Sequence, residues 1–534
     1  MQIQTFVKPG FYKDSVALMR VAQALLADFT LDRATLVMAT PANKEILAEA
    51  GLLQANAQAA GPADLLIVIA GDEAAEVAAA TAQAHVLLEA KPAHSDSAQA
   101  IAPKTLVMGQ HRMTDDGVAA NLAQISVPGP YAAAEGLKAI KQGMHVFMFS
   151  DNVPLAQEVA LKRAAQAKGL LVMGPDCGTA IINGVPLGFA NVVRRGAIGF
   201  VAASGTGLQE VTTGVHNEGL GVSHALGTGG RDTGADVGGI TMLQALDLLI
   251  ADAQTEVIGI VSKPPAPSVA AAVYAKLQAG GKPAVVLFLG DTAHSTLPNV
   301  HTVRTLEGAT AVCAQLARGE VRGEAIHVHA NVTLDDIDAI EDTSTSLPVI
   351  DFAPGQRYLR GLYSGGTFCT EAQLVASESG IVAWSNVPVD KKRALKDIHT
   401  SQEHTLVDLG DDAFTVGKPH PMIDQGTRIA RLLHEAHDPS VAVILLDVVI
   451  GYGAHADPAG ELVPHIRAAQ ALAVATGRTL AFVAFVCGTE DDPQVRSVQE
   501  KTLLSAGVLV AVNSTQAARL AASLVASAVA PPQA

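Results

Sequence analysis

The stretch that decides the fold class is GAIGFVAASGTGLQEVTTGVHNEGLGVSHALGTGGRD, at residues 196–232. Aliphatic residues dominate 198–203 and 222–226, and such runs predict strands. Residues 208–217, between them, have a helical pattern and follow a glycine-bearing turn. Strands that alternate with helices predict a parallel sheet covered by helices, in which the buried strands are aliphatic.

The same alternation continues on both sides of this stretch. Further strands are predicted at 34–39, 64–70, 122–127, 145–150, 170–173, 257–262, 284–289, 405–409, 442–446, 480–486 and 508–512. Helices are predicted at 16–29, 43–50, 73–84, 132–142, 153–167, 421–436 and 460–476. The pattern predicts an α/β protein made of several doubly wound modules.

The modules are predicted to number four. They are a small N-terminal α/β module at 1–95, a Rossmann-like domain at 121–195, and two doubly wound modules at 196–320 and 346–530. The polar residues 91–120 are predicted to be a linker, and the charged residues 321–345 a connector. The third and fourth modules repeat one rhythm of strand, glycine-bearing loop and helix, which predicts that a single unit was duplicated.

Composition excludes several classes of protein. The chain has 534 residues and a net charge of −16, with no basic stripe for nucleic acid. Its four cysteines, at 177, 313, 369 and 487, lie too far apart for a disulfide scaffold or a zinc site. No signal peptide and no apolar run of membrane-spanning length is present, so a soluble cytoplasmic protein is predicted. GxxxxGK[ST] and G-x-S-x-G motifs are absent, which argues against P-loop NTPases and α/β-hydrolases.

Loops that follow strands are the candidate anion sites, because helix N-termini there offer free N–H groups. The first such loop contains Ser204, Gly205, Thr206 and Gly207, where Thr206 could cap the helix and Gln209 could complete a capping box. An ordinary turn between strand and helix is equally compatible with these residues.

Three later loops are further candidates. Gly229 and Gly230 belong to a loop, 227–232, that could close over a ligand or simply expose its charges to water. The next loop carries Gly410, Asp411, Asp412, Lys418 and His420. Pro421 would begin a helix just after this loop, and a capping or surface histidine is the alternative. In the last loop, Asp447 and His455 could do acid–base work or be structural, while Asp457 and Pro458 could start a helix.

Several motifs resemble succinyl-CoA synthetase. VPGPYAAAEGLKAIKQG, MGPDCGTAIINGVPLGF, the stretch at 196–232 and TEVIGIVSK are similar, in this order, to segments of its α subunit. RGLYSGGTFCTEAQL and HTLVDLGDDAFTVGKPHPMIDQGTRIARLL are similar to the ligase domain of its β subunit. The fusion of both types in one chain, with GKPHPMID, resembles the FdrA family. The resemblance implies a CoA-binding-type domain at 121–195 and two flavodoxin-like ligase domains at 196–320 and 346–530.

Departures from the synthetase pattern bear on the chemistry. The GHAGA motif of the phosphorylated histidine is absent, although His294 lies nearby, and Lys263 stands where the synthetases have a glutamate. An ATP-grasp domain and the N-terminal glycine motif that binds CoA are also absent. No cofactor is therefore expected, with phosphate or carbamoyl phosphate as substrate.

The FdrA resemblance implies a subunit of an oxamate carbamoyltransferase, a multi-subunit enzyme of allantoin breakdown. Residues 204–207 would bind phosphate and Lys263 would neutralise it. Lys418 and His420 would polarise the carbamoyl carbonyl or transfer a proton, with Asp411 or Asp412 orienting His420. The alternatives are an acyl-CoA ligase that needs a partner's ATP-grasp domain, and a non-catalytic scaffold for partner subunits. The expected partners are other subunits, with a homo-oligomer also open.

Overall fold

A computed structural model describes residues 2–13, 15–49, 51–89, 103–115, 117–292, 295–320, 350–415 and 418–529. The predicted connector at 321–345 and His294 fall outside these ranges. The chain divides into two compact units, each described by itself. The N-terminal unit comprises residues 1–112 with 412–420, and the main unit comprises 113–411 with 421–534.

The N-terminal unit contains one three-stranded antiparallel sheet, with strand order β1-β3-β2. Its strands are β1 (Gln2–Lys8), β2 (Arg33–Met38) and β3 (Leu65–Gly71). Its helices are α1 (Ser15–Asp28), α2 (Pro41–Glu49), α3 (Ala55–Gln58), α4 (Ala74–Glu89) and the larger part of α5 (Leu106–Asp115). Every residue of the central strand β3 is buried, because its neighbours and the helices cover it. The predicted linker therefore contains a helix, α5.

The main unit begins with a small parallel sheet of order β4-β5-β6. The strands are β4 (Leu122–Ile125), β5 (His145–Met148) and β6 (Val172–Met173), with helices α6 (Gly129–Lys141) and α7 (Leu155–Gln166). The hairpin that follows, β7 (Thr179–Ile182) and β8 (Val185–Gly188), pairs antiparallel with a strand of the next sheet. Main-chain hydrogen bonding thus joins residues 179–188 to the third module instead of the second.

The third module is a seven-stranded sheet of order β13-β12-β11-β9-β10-β7-β8. Its remaining strands are β9 (Arg195–Ala202), β10 (Val222–Gly227), β11 (Val257–Ser262), β12 (Ala284–Phe288) and β13 (Val300–Thr302). Its helices are α8 (Gly205–Asn217), α9 (Ile240–Ala251), α10 (Pro267–Gly280) and α11 (Leu306–Ala317). The predicted strands all lie at or within three residues of these positions.

The fourth module is a five-stranded parallel sheet of order β15-β14-β16-β17-β18. Its strands are β14 (Tyr358–Tyr363), β15 (Thr405–Asp408), β16 (Val441–Val449), β17 (Ala481–Cys487) and β18 (Leu509–Ala511). Its helices are α12 (Gly366–Glu378), α14 (Gly426–Ala436), α15 (Pro458–Ala475), α16 (Arg496–Leu504) and α17 (Ser514–Val529). The short helix α13 (Asp412–Thr415) belongs to the N-terminal unit.

The two larger sheets share one topology. When the strands are counted from the start of each module, their order is the same in both sheets, namely β13-β12-β11-β9-β10 and β18-β17-β16-β14-β15. This is the flavodoxin-like order, with ligand positions at the carboxyl ends of the strands. The common topology supports the duplication that the sequence predicted.

The two sheets also share one hydrophobic core. A single cluster of buried side chains runs from Ile181 to Val525 and includes Leu208 of α8 and Phe368 of α12. Phe368 packs edge-on against Phe485 of β17, with 5.0 Å between ring centroids. Burial of large side chains from both modules stabilises them as one body. Within the described ranges, none of the helices has both the length and the apolar character required to cross a bilayer.

Candidate functional site

The first candidate loop lies where strand β9 ends and helix α8 begins. Ser204 is the N-cap residue, and its hydroxyl accepts a hydrogen bond from the N–H of Gly207 at 2.9 Å. The prediction that Thr206 caps this helix is therefore wrong, because the cap lies two residues earlier. Gln209 forms no capping box and instead donates to Asn191 at 3.1 Å.

Helix α12 begins directly opposite this turn. The hydroxyl of Ser204 contacts the hydroxyl of Thr367, in the first turn of α12. A Cβ atom on Gly365 would lie 2.7 Å from the hydroxyl oxygen of Thr206, and one on Gly207 would lie 3.0 Å from Cγ2 of Thr367. The glycines thus permit the two helix N-termini to touch.

Two converging helix N-termini concentrate positive potential at one point. The first turn of each helix has N–H groups without intrahelical partners, and the helix dipole adds to their attraction for anions. The third and fourth modules contribute one helix each, α8 and α12. The junction between Ser204 and Thr367 is therefore a candidate anion site, which we call the helix junction.

A buried ion pair fixes the α12 side of the helix junction. Asp447 of β16 accepts the backbone N–H of Ser364 at 3.0 Å and its hydroxyl at 2.8 Å. Arg428 pairs with the same carboxylate and donates to the carbonyl of Leu362 at 3.0 Å. Both charged groups are almost fully buried, so the suggested acid–base role of Asp447 gives way to a positioning role.

Asp408, the last residue of β15, places a buried carboxyl beside the same helix. Its Oδ1 accepts the N–H of Gly410 at 3.0 Å. Burial raises the pKa of Asp408 to about 7, aided by the charges of Asp411 and Asp447 and opposed by the Gly410 hydrogen bond and Lys263. Sequence reasoning missed this residue because it ends an aliphatic run, TLVD, and so seemed part of the strand.

Lys263 follows β11 and is exposed. Its charge lowers the pKa of both Asp408 and Cys369, which lies in the first turns of α12, although burial raises both values overall. A lysine from the third module thus acts electrostatically on groups of the fourth module. The structure brings Lys263 toward the helix junction, together with residues 204–207.

The second candidate loop is held by buried charges. Lys162 pairs with Asp232 at 2.7 Å and with Glu158 at 3.0 Å, and Arg231 pairs with Glu158 at 2.9 Å. Three of these four groups are buried and only Arg231 exposes its charge to water, so the suggested closure of the loop over a ligand stays a prediction.

The two predicted glycines of that loop have different surroundings. Gly229 has a φ of +81°, and a Cβ there would lie 3.1 Å from Cα of Gly174. Gly229 is thus required for a close approach between two loops. Gly230 is exposed and faces open space. Neither residue lies in the contacts of the helix junction.

The third candidate loop is divided between the two units. Gly410 and Asp411 belong to the main unit, whereas Asp412, Lys418 and His420 belong to the N-terminal unit. Burial lowers the pKa of His420 to about 4. The catalytic roles of Lys418 and His420, and the orienting role of Asp411 or Asp412, stay predictions.

The helix after this loop starts later than predicted. α14 begins at Gly426, so Pro421 is not its first residue, and Lys418 and His420 do not directly precede its N-terminus. In the last candidate loop, Asp457 does cap the next helix by accepting the N–H of Gly460 at 3.0 Å, and Pro458 is that helix's first residue.

Three family models match parts of the chain. A model described as CoA-ligase matches residues 362–524, and one described as CoA binding domain matches residues 194–290. The latter match falls on the third module, not on 121–195, where the resemblance implied a CoA-binding-type domain. A third model, described as AllF, heavy metal-associated domain, matches residues 1–103.

The relatives differ widely in how much of this chain they align with. The chain is 42% identical to the Uncharacterized protein YahF of Escherichia coli over 523 residues, 98% of each chain. It is 32% identical to the succinate–CoA ligase [ADP-forming] subunit alpha-2 of Trichomonas vaginalis over 149 residues, 27% of this chain and 47% of that protein. The chain thus spans less than half the length of that ligase subunit.

Among solved structures, the chain is similar to an ATP citrate lyase from Methanothrix soehngenii, in complex with citrate and coenzyme A. The identity is 12%, the match covers 80% of this chain and 85% of that chain, and the TM-score is 0.32.

These comparisons correct one expectation. The predicted carbamoyltransferase activity, with its place in allantoin breakdown, is wrong, because the matching modules and curated relatives are of the CoA-ligase class. The alternative of an acyl-CoA ligase fits them better.

The resemblance to the synthetase α subunit implied a CoA site in the Rossmann-like sheet, and the residues there do not fit one. Residues 123–130 and 149–155, which surround the carboxyl ends of β4 and β5, include no lysine or arginine for the phosphates of CoA. A Cβ on Gly129, the first residue of α6, would lie 2.6 Å from the backbone of Asn152. Backbone therefore covers the helix N-terminus where a phosphate would bind.

The N-terminal unit likewise does not fit a thiolate-bound heavy metal. The four cysteines all lie at or beyond residue 177. Across the described part of the chain, no three side chains of His, Cys, Asp or Glu come together as a metal site. Soft metals prefer thiolate ligands, which residues 1–103 lack.

Proposed function

The chain belongs to the same family as YahF of Escherichia coli and carries modules of the succinyl-CoA synthetase superfamily, and from this premise we propose a function. The protein is an FdrA-like subunit of an acyl-CoA-synthetase-type ligase that binds the phosphoryl group of phosphate or an acyl phosphate. A partner subunit supplies the ATP-grasp domain and the CoA site.

The contact between the N-termini of α8 and α12 carries this proposal. The first-turn N–H groups of residues 205, 206, 366 and 367 belong to two helices that meet at the Ser204–Thr367 contact. Oriented N–H dipoles stabilise charge that develops on a phosphoryl oxygen without any reorganisation. Such a site suits a group that must be both held and transferred.

Lys263 adds a full positive charge to these partial charges. An ammonium acts as a point charge that neutralises part of the phosphate dianion. Lys263 belongs to the third module and acts on Cys369 of α12 in the fourth module. Its charge would therefore attract an anion that is bound between the two modules. The ion pair between Arg428 and Asp447 keeps the backbone of Ser364 in place for the same anion.

The proposal is tested by titrating the full chain with inorganic phosphate and with acetyl phosphate in a calorimeter. We expect saturable binding, and Lys263→Met should weaken it about tenfold, equivalent to about 1.4 kcal/mol. Lys276→Met is the control, since Lys276 pairs with Asp247 on the surface. If neither anion binds saturably at millimolar concentrations, or if both variants behave alike, the proposal fails.

A further inference from the structure

The carboxyl group of Asp408 has an unused oxygen beside the helix junction. Oδ1 accepts the N–H of Gly410, but no hydrogen-bond partner of Oδ2 occurs among the residues that the structure describes. Asp408 is only 7% exposed. A carboxylate oxygen without a protein partner is available to accept a hydrogen bond from a bound ligand.

The position of this oxygen is fixed by its surroundings. Asn386 holds the backbone of Asp408 on both sides, accepting its N–H and donating to its carbonyl, each at 2.9 Å. A Cβ on Gly366 would lie 2.5 Å from Oδ2. The free oxygen thus lies against the first residue of α12, at the turn that meets α8.

Three ionisable groups act on this carboxyl, and it acts on a fourth. Asp411 in the following loop and Asp447 on β16 oppose its ionisation, and Lys263 after β11 favours it. Cys369 on α12 lies close enough for the Asp408 charge to raise the pKa of its thiol. Burial is the main cause of the raised pKa of Asp408, which is about 7.

We propose that Oδ2 of Asp408 accepts a hydrogen bond from the protonated oxygen of a phosphate bound at the helix junction. The site then selects inorganic phosphate over oxyanions that carry no proton, such as sulfate. This inference rests on the proposed function, and it names free phosphate as a species that the site binds.

The selection has a simple physical reason. Hydrogen phosphate keeps one proton at neutral pH and can donate it to a carboxylate, whereas sulfate only accepts hydrogen bonds. An ionised Asp408 that faces sulfate would place two acceptors in contact, with no donor between them. Sites that require a hydrogen-bond donor reject analogues without one by large factors.

The protonation of Asp408 makes the selection depend on pH. At about pH 6 the carboxyl is largely protonated and can donate to either anion. At about pH 8.5 it is ionised, so only an anion that still has a proton is accepted. The preference for phosphate over sulfate should therefore grow as the pH rises.

Competition calorimetry on the full chain tests this inference, with phosphate and sulfate at both pH values. For the native protein we expect the preference for phosphate to be about tenfold or more at about pH 8.5 and clearly smaller at about pH 6. Asp408→Asn, whose amide donates to either anion, should bind both about equally at both pH values. Glu371→Gln, a change at another buried carboxyl, should keep the native preference.

The outcomes separate the two proposals. If Asp408→Asn binds phosphate but keeps the native preference and its pH dependence, the role of Asp408 is refuted while the anion site stands. If the native protein binds neither anion, the proposed function fails. Should Asp408→Asn not fold, as judged by circular dichroism, an equal preference of the native protein at both pH values still overturns the inference.

Discussion

Glu210 and Glu371 occupy the same position, the sixth residue of α8 and of α12, and each caps a helix that belongs to the other module. Glu210 accepts the N–H of Ser514, the first residue of α17, at 2.9 Å. Glu371 accepts the N–H of Leu306, the first residue of α11, at 2.7 Å. Each hydrogen bond satisfies an N–H group that has no partner within its own helix, so each module completes a helix of its neighbour.

Stability should depend on pH through Glu371. Burial raises the pKa of this carboxyl from 4.5 to about 7, against the opposing effect of its hydrogen bonds. The folded protein therefore holds the proton more tightly than the unfolded chain. The contribution of Glu371 to stability is complete below about pH 4.5 and is lost as the pH rises through about 7.

Glu371→Gln removes that titration and keeps a hydrogen-bond acceptor. Between about pH 5 and about pH 8, the native protein should lose on the order of 2 kcal/mol more unfolding free energy than the variant. Urea denaturation at several pH values measures this difference. Parallel profiles for the two proteins would show that Glu371 does not titrate in this range.

Loss of the buried ion pair should be strongly destabilising. Arg428→Met leaves the carboxylate of Asp447 buried without its cation, which typically costs about 3–5 kcal/mol. The double variant Arg428→Met/Asp447→Asn should be less destabilised than Arg428→Met, since the unpaired charge is gone. Arg467→Met, at an exposed arginine, is the control for loss of a guanidinium. Chemical denaturation gives all three values, and equal stability of Arg428→Met and Arg467→Met would refute the prediction.

The helix junction should not tolerate a methyl group at Gly365. Gly365→Ala places a Cβ 2.7 Å from the hydroxyl oxygen of Thr206, so the two helix N-termini must separate. We expect phosphate affinity to fall about tenfold, or about 1.4 kcal/mol, in the calorimetric assay. Gly230→Ala is the matched control, because nothing lies near its Cβ position. A native affinity in Gly365→Ala would contradict the close contact of the two helices.

The thiols should be unreactive in the native protein. Cys177, Cys313, Cys369 and Cys487 are all free and buried, and burial raises the pKa of the Cys177 thiol to about 12. Since the thiolate is the reactive form, a disulfide reagent at about pH 8 should modify almost none of them. In guanidinium chloride all four should react. Rapid modification of any thiol in the folded protein would show that a cysteine is accessible.

Regular elements were predictable from sequence where hydrophobic periodicity was strong. The aliphatic strands at 257–262 and 442–446 were found in place because a buried parallel strand has little choice of residue type. The start of α14 was not, because Pro421 satisfies a local rule for first helical positions while the chain turns helical only at Gly426. Where tertiary packing determines the first residue of a helix, local sequence propensity cannot choose between two possible first residues.

The helix junction was only partly predictable. Residues 204–207 were recognised from their glycines and their position after a strand. The cap was assigned to Thr206, but Ser204 offers the same hydroxyl group two residues earlier, and sequence alone does not show which of the two caps the helix. Asp408 was missed because burial, which gives it an unusual pKa, is not visible in sequence. The ligase-type modules were predicted from motif order. The transferase reaction was wrong, because lost motifs reveal what a protein lacks and not what replaces it.

The reciprocal caps of Glu210 and Glu371 have a consequence for assembly. Were the third and fourth modules separate polypeptides, their association would weaken on dilution and their ratio would depend on expression. On one chain, each meets the other at an effective concentration in the millimolar range or above. The pairing of α8 with α12 is then independent of how much protein is present, and every molecule carries both halves of the helix junction in equal number.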